Sequence, residues 1–211
     1  MTLPNKLSTL RICMVPLFIA AYFLPYSWGA FVAVGIFALA AFTDFLDGHI
    51  ARKYNLVSDL GKLLDPIADK ILVCAALFCV VATNPLQCLS LLDFAWTINF
   101  GKILLAVGAT VIISRELLVS AVRQIAASKG LVVQANVYGK IKTVCQDIGI
   151  PLLVILNYYV VRNANSDVVV IPSTFGIVVW WIAVVVFAIS IILTVVSGVI
   201  YLIQNRKVFT N

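Results

Sequence analysis

Five of the nine acidic residues in this 211-residue chain fall between positions 44 and 69. Asp44 and Asp47 are three apart, and Asp65 and Asp69 are four apart, so each pair occupies one face of a helix. Four carboxylates drawn together repel one another and resist ionisation unless a cation sits among them. Hard oxygen ligands suit Mg²⁺, Mn²⁺ or Ca²⁺ far better than zinc. Four such groups can hold two ions, and paired metals about 3.5–4 Å apart are a recurring device of phosphoryl chemistry. Gly48 and Gly61 flank the cluster. Each costs a helix about 1 kcal/mol relative to alanine, and close approach of backbone to a ligand or a facing helix is the reason to keep it. The competing reading is a solvated acidic face paired with Arg52, Lys53, Lys62 and Lys70. His49 is the only histidine, which makes a carboxylate the natural catalytic base.

The elements that carry these residues follow from composition. The chain is 63% apolar and 11% charged, against roughly 45–50% and 25% in soluble domains. That excess cannot be hidden inside a soluble domain of this size, which excludes a soluble enzyme, a disordered regulator and a secreted disulfide scaffold. The expected fold is an all-α integral membrane protein, one domain over 1–211. Six runs approach the ~20 residues needed to span a bilayer: 10–28, 30–52, 63–83, 101–125, 138–161 and 174–203. A short amphipathic lead over 3–11 precedes the first, which reads as a retained helix rather than a signal peptide. Thirteen of the fifteen Lys and Arg lie on or near the side shared by the two termini; only Lys102 and Arg162 fall towards the other. By the positive-inside rule both termini are cytoplasmic, as are the 2–3 and 4–5 connections. The same asymmetry accounts for the net charge of +6 without nucleic acid, for which there is no basic tail or stripe. The five cysteines form no C-x-x-C pair and read as small core hydrophobes. The aspartates therefore gather at the cytoplasmic boundary. Their position argues against a divalent-cation channel, which needs acids deep in the membrane or ringing a pore.

A second set of charges lies on the fourth and fifth runs. Arg115 and Arg123 are eight apart, about two turns, and Lys140 and Lys142 open the next run. Boundary cations are costly and usually functional, and Arg suits a bidentate grip on phosphate. Two readings stand: a pocket for a phosphate-bearing substrate, or Arg115 paired with Glu116 or Asp147 and the lysines serving as topological anchors.

Written out, the acidic stretch is D-F-L-D-G-H-I-A-R over 44–52, eight residues, then G-K-L-L-D-P-I-A-D over 61–69. It resembles the signature of the CDP-alcohol phosphotransferases, D-x-x-D-G-x-x-A-R-x8-G-x-x-x-D-x-x-x-D, at every fixed position. The resemblance implies a six-helix membrane enzyme that moves a phosphatidyl group from a CDP-linked donor to an alcohol. It implies metal binding by Asp44, Asp47, Asp65 and Asp69, two ions of Mg²⁺ or Mn²⁺, with Asp69 also the candidate base. Asp47, Gly48, Ala51, Arg52 and Gly61 fall at positions that accommodate the CDP moiety. L-P-N-K-L-S-T-L-R over 3–11, S-R-E-L-L-V-S-A-V-R over 114–123 and G-K-I-K-T over 139–143 are similar to bacterial phosphatidylglycerophosphate synthases. Ser8 stands where such openings often carry threonine. This narrower likeness implies CDP-diacylglycerol and glycerol 3-phosphate as substrates, with Arg115, Arg123, Lys140 and Lys142 taking the acceptor's phosphate. It also implies a homodimer in the bacterial cytoplasmic membrane with the active site facing the cytoplasm. Inositol phosphate, serine and phosphatidylglycerol are the rival acceptors.

Overall fold

The computed structural model describes residues 3–26, 28–54, 59–83, 95–129, 137–164 and 174–205. The side chains of 44–54, 59–66 and 69 lie outside that description. Every regular element among the described residues is helical: α1 (Leu3–Tyr22), α2 (Gly29–Tyr54), α3 (Asp59–Thr83), α4 (Ala95–Ser128), α5 (Val137–Ala164) and α6 (Thr174–Gln204). Each of the six apolar runs corresponds to one of these helices. The largest difference is at the first. The lead over 3–11 is not a separate element but the opening turns of α1, which continues across Pro16 and stops at Tyr22 rather than near 28. The stop has a local cause, because Leu24 precedes Pro25 and a residue before proline is driven out of the helical region.

The helices fall into two compact units, residues 1–88 with 153–170 and residues 89–152 with 171–211. In the first, α1 packs on both α2 and α3. Its buried face recurs every three or four residues through Arg11, Met14, Phe18 and Ala21, and the Phe18 ring meets Phe37 of α2 at 6.3 Å. Alanines at 33 and 40 of α2 and at 68 and 76 of α3 are fully buried, and their small side chains let the backbones approach. The Thr83 hydroxyl donates to the Cys79 carbonyl at 2.9 Å, which leaves its oxygen to accept from the Tyr22 hydroxyl at 2.5 Å. This bond ties the C-terminal end of α1 to that of α3, so the two helices run parallel.

Gly29 closes the return from α1 into α2. A β-carbon there would sit 2.8 Å from the Ala21 carbonyl oxygen and 3.0 Å from Leu24 Cβ. Because the first obstacle is backbone, it cannot swing away. Gly29→Ala is expected to cost about 1–3 kcal/mol, read as a lower melting temperature in detergent with substrate affinities unchanged in the protein that remains folded.

In the second unit, α6 buries Trp180, Ala183, Phe187, Ser190, Thr194, Ser197 and Tyr201, alternating steps of three and four. This is the seam of a helix packed along its length on a neighbour. The neighbour is α4, whose Ile112, Val119, Val122 and Ala126 face inward. Position 108 of α4 meets Phe187 and Ile191, and position 115 meets 197 and 198, so α4 and α6 run parallel. Gly139 lies against Arg115 and Gly149 against Val186, so α5 runs antiparallel to both.

The polarity of this unit is the reverse of a soluble protein's. The α6 seam buries four hydroxyls, while its outer face exposes Val178, Trp181, Ile182, Val185, Ile189, Ile192, Val195, Val196, Val199 and Ile203. A continuous apolar exterior of that length is incompatible with water, and small or hydroxylated residues at a helix seam suit lipid-embedded packing. Lys102–Ser128 and Val178–Gln204 each run 27 residues, roughly 40 Å, which exceeds the ~30 Å hydrocarbon core.

Candidate active site

The four aspartates sit on α2 and α3, and the backbone fixes their heights. Asp44 lies fifteen residues beyond Gly29 and Asp69 fourteen before Thr83, so both stand roughly 21–22 Å from the Tyr22–Thr83 end. Asp47 and Asp65 are each eighteen residues along, roughly 27 Å. Counted along ideal helices, the two acidic pairs thus lie at similar distances from that end. Their side chains, and those of Gly48, Ala51, Arg52 and Gly61, lie outside the described residues. An all-carboxylate donor set suits hard divalent cations. Among the described residues, which do not include these four side chains, no group of three or more His, Cys, Asp or Glu stands together.

Sequence reasoning gave Arg11 only a topological part. It is 3% exposed, on the same face of α1 as the fully buried Phe18, and Ser8 one turn earlier is buried with it. An arginine so deeply enclosed in an apolar helix is costly and needs acidic or polar company. Its period with Met14 and Phe18 was the available signal.

The basic cluster belongs to the second unit, where the end of α4, the start of α5 and the end of α6 meet. Arg115 reaches between the other two helices. Its Nη2 donates to Ser197 Oγ at 3.0 Å, and its Nη1 lies 3.6 Å from Glu116 Oε1. Gly198 makes room for it, since a β-carbon there would stand 3.1 Å from Arg115 Cγ, and Gly139 lies beside its Nη2. Lys142 is 0% exposed and donates its ammonium to the same Glu116 carboxylate. A fully enclosed ammonium is tolerable only with such a partner. Arg123 lies over the Tyr201 ring, 5.7 Å from its centroid.

Of the four cations expected to meet a phosphate, Arg115 and Lys142 are thus brought to one carboxylate. Arg123 stands within electrostatic range of Arg115. Lys140, two residues from Lys142 and so on the opposite side of α5, is exposed. Glu116, Ser197 and Tyr201 join the cluster without having been singled out as site residues. Two buried donors in it, Arg115 Nε and the Tyr201 hydroxyl, have no hydrogen-bond partner among the described residues. Each such group costs about 1–3 kcal/mol when left unsatisfied. Two together, in a net positive setting, mark a place suited to an anion.

The model of the CDP-alcohol phosphatidyltransferase family matches residues 1–196. The chain belongs to this family. It is 37% identical to the CDP-diacylglycerol–glycerol-3-phosphate 3-phosphatidyltransferase of Bacillus subtilis, over 96% of this chain and 94% of that one. It is 30% identical to the enzyme of the same name from Rickettsia bellii, over 98% and 97%. It is also 41% identical to a CMP-forming cardiolipin synthase of Oryza sativa, over 72% of this chain and 45% of that longer protein. Membership in a family of CDP-alcohol phosphatidyltransferases makes the chain an enzyme of phospholipid synthesis in a membrane. It also removes the channel reading of the acidic cluster.

Proposed function

We propose that this enzyme transfers the phosphatidyl group of CDP-diacylglycerol to glycerol 3-phosphate, giving phosphatidylglycerophosphate and CMP. The observation that carries the reading is the end-to-end likeness to two phosphatidyltransferases bearing that name. The basic cluster supplies the matching chemistry, because a phosphate-bearing acceptor needs guanidinium and ammonium donors that a zwitterionic one does not. All six helices span the cytoplasmic membrane in this reading, with both termini and the aspartates on the cytoplasmic side and the enzyme acting as a homodimer. The donor's acyl chains then stay in lipid while its nucleotide reaches water.

Asp44, Asp47, Asp65 and Asp69 would hold two divalent ions, Mg²⁺ or Mn²⁺. Such ions neutralise charge on the pyrophosphate and on departing CMP. Asp47, Gly48, Ala51, Arg52 and Gly61 would receive the CDP moiety, the glycines letting the backbone come close. The acceptor hydroxyl gives its proton to Asp69 as its oxygen bonds to the phosphorus bearing the diacylglycerol. The bond from that phosphorus to CMP then breaks, and CMP leaves with the electron pair. Arg115, Arg123 and Lys142 would anchor the acceptor through its phosphate, with Lys140 contributing long-range attraction. Positioning and charge complementarity supply most of the acceleration, since a general base contributes about 10²–10⁴-fold.

The cardiolipin synthase likeness favours one second reading, the same chemistry with phosphatidylglycerol as the alcohol. The test is CMP release from labelled donor by the purified protein, offered glycerol 3-phosphate, inositol phosphate, serine and phosphatidylglycerol in competition. Glycerol 3-phosphate is expected to dominate, with turnover lost in chelator and restored by Mg²⁺ or Mn²⁺. CMP release only with another alcohol overturns the assignment.

A further inference from the structure

The Tyr201 ring is accounted for by packing, but its hydroxyl is not. The ring lies against Val119, Val122 and Ala126 of α4, a setting that phenylalanine would fill equally well. The residue is 1% exposed, and its hydroxyl has no hydrogen-bond partner among the described residues. What surrounds it is positive. Arg123 lies over the ring, and Arg115 is within electrostatic range of both. A guanidinium can donate to the phenol oxygen but cannot take its proton, so neither arginine serves the O–H as an acceptor. Arg115 Nε, also buried and unpartnered, is a second donor in the same condition. The Glu116 carboxylate takes the Lys142 ammonium, and neither buried donor bonds to it among the described residues. Two unsatisfied donors and two mutually repelling cations share one need, an anionic acceptor with several oxygens.

We propose that the Tyr201 hydroxyl donates to the phosphate of the acceptor substrate, beside the Arg115 and Arg123 guanidiniums. The inference rests on a phosphate-bearing acceptor, and it names a ligand on α6 that the basic residues of α4 and α5 do not reveal. A neutral donor near two guanidiniums adds direction to a site otherwise built from charge.

Tyr201→Phe removes one oxygen and keeps the ring. In the full-length protein, KM for glycerol 3-phosphate is expected to rise about tenfold, with KM for CDP-diacylglycerol within about twofold and the melting temperature unchanged or higher. An unchanged acceptor KM with a raised melting temperature would make the hydroxyl merely an unsatisfied buried group and sink the proposal, as would equal rises in both KM values. A second measurement needs no turnover: glycerol 3-phosphate or inorganic phosphate is expected to raise the melting temperature of the parent protein more than that of Y201F. Equal protection of the two would also sink it. A parent protein that turns over only another alcohol fails the acceptor assignment instead, and the phosphate-protection comparison then decides the role of the hydroxyl independently.

Discussion

Replacing Asp69 by asparagine is expected to reduce kcat by about 10²–10⁴-fold, the range a positioned general base contributes. The affinity for CDP-diacylglycerol should change only a few-fold. Asparagine keeps one oxygen acceptor of the same reach but cannot take a proton near neutral pH, so it separates the base from the ligand. The control is Asp44→Asn, on α2. There the expected losses are in metal requirement and donor binding, because Asp44 is assigned to cation binding alone. CMP release at saturating donor, donor binding by calorimetry and activity across a Mg²⁺ titration distinguish the two variants. If Asp69→Asn were rescued by raising Mg²⁺ alone, Asp69 would be a metal ligand only and the base would have to be sought elsewhere.

Much of this architecture was legible in the sequence because a membrane imposes length. Runs of about 20 apolar residues have few alternatives to a helix in lipid, so six runs became six helices with ends displaced mainly where local turn chemistry ruled. The early stop of α1 shows this. Hydropathy continued through Phe23 and Leu24, whereas Pro25 and the tight return at Gly29 ended the helix. A constant rise gives Asp44, Asp47, Asp65 and Asp69 their positions along α2 and α3, while their side chains lie outside the described residues. Faces were harder to read. Arg115, Arg123, Lys140 and Lys142 looked like one basic group, yet Lys140 and Lys142 stand on opposite sides of α5. Tyr201 was invisible because an aromatic in an apolar run signals packing, and only its surroundings distinguish a ring that packs from a hydroxyl lacking a partner. Arg11 was hidden for the opposite reason, as a cation near a terminus is explained too readily by topology.

The largest stability effect is expected at the Glu116–Lys142 pair. Lys142 is 0% exposed and its ammonium rests on the Glu116 carboxylate. Glu116→Leu would take from that enclosed ammonium the carboxylate it rests on, at a cost of about 3–5 kcal/mol. Lys142→Met is expected to cost less, because Glu116 retains some solvent access and the nearby Arg115 guanidinium at 3.6 Å. The double variant, Glu116→Leu with Lys142→Met, removes both charges from the unit, and such replacements are often neutral or stabilising. Most of the lost melting temperature should therefore return. Acceptor use should not return, because the double variant lacks the ammonium assigned to the phosphate, and Arg115 loses the carboxylate that holds it in register. The expected signature is near-parental stability with glycerol 3-phosphate KM raised about tenfold or more and the donor KM little changed. A double variant that recovers both stability and acceptor KM would make the pair a packing device and confine phosphate binding to the arginines and Tyr201.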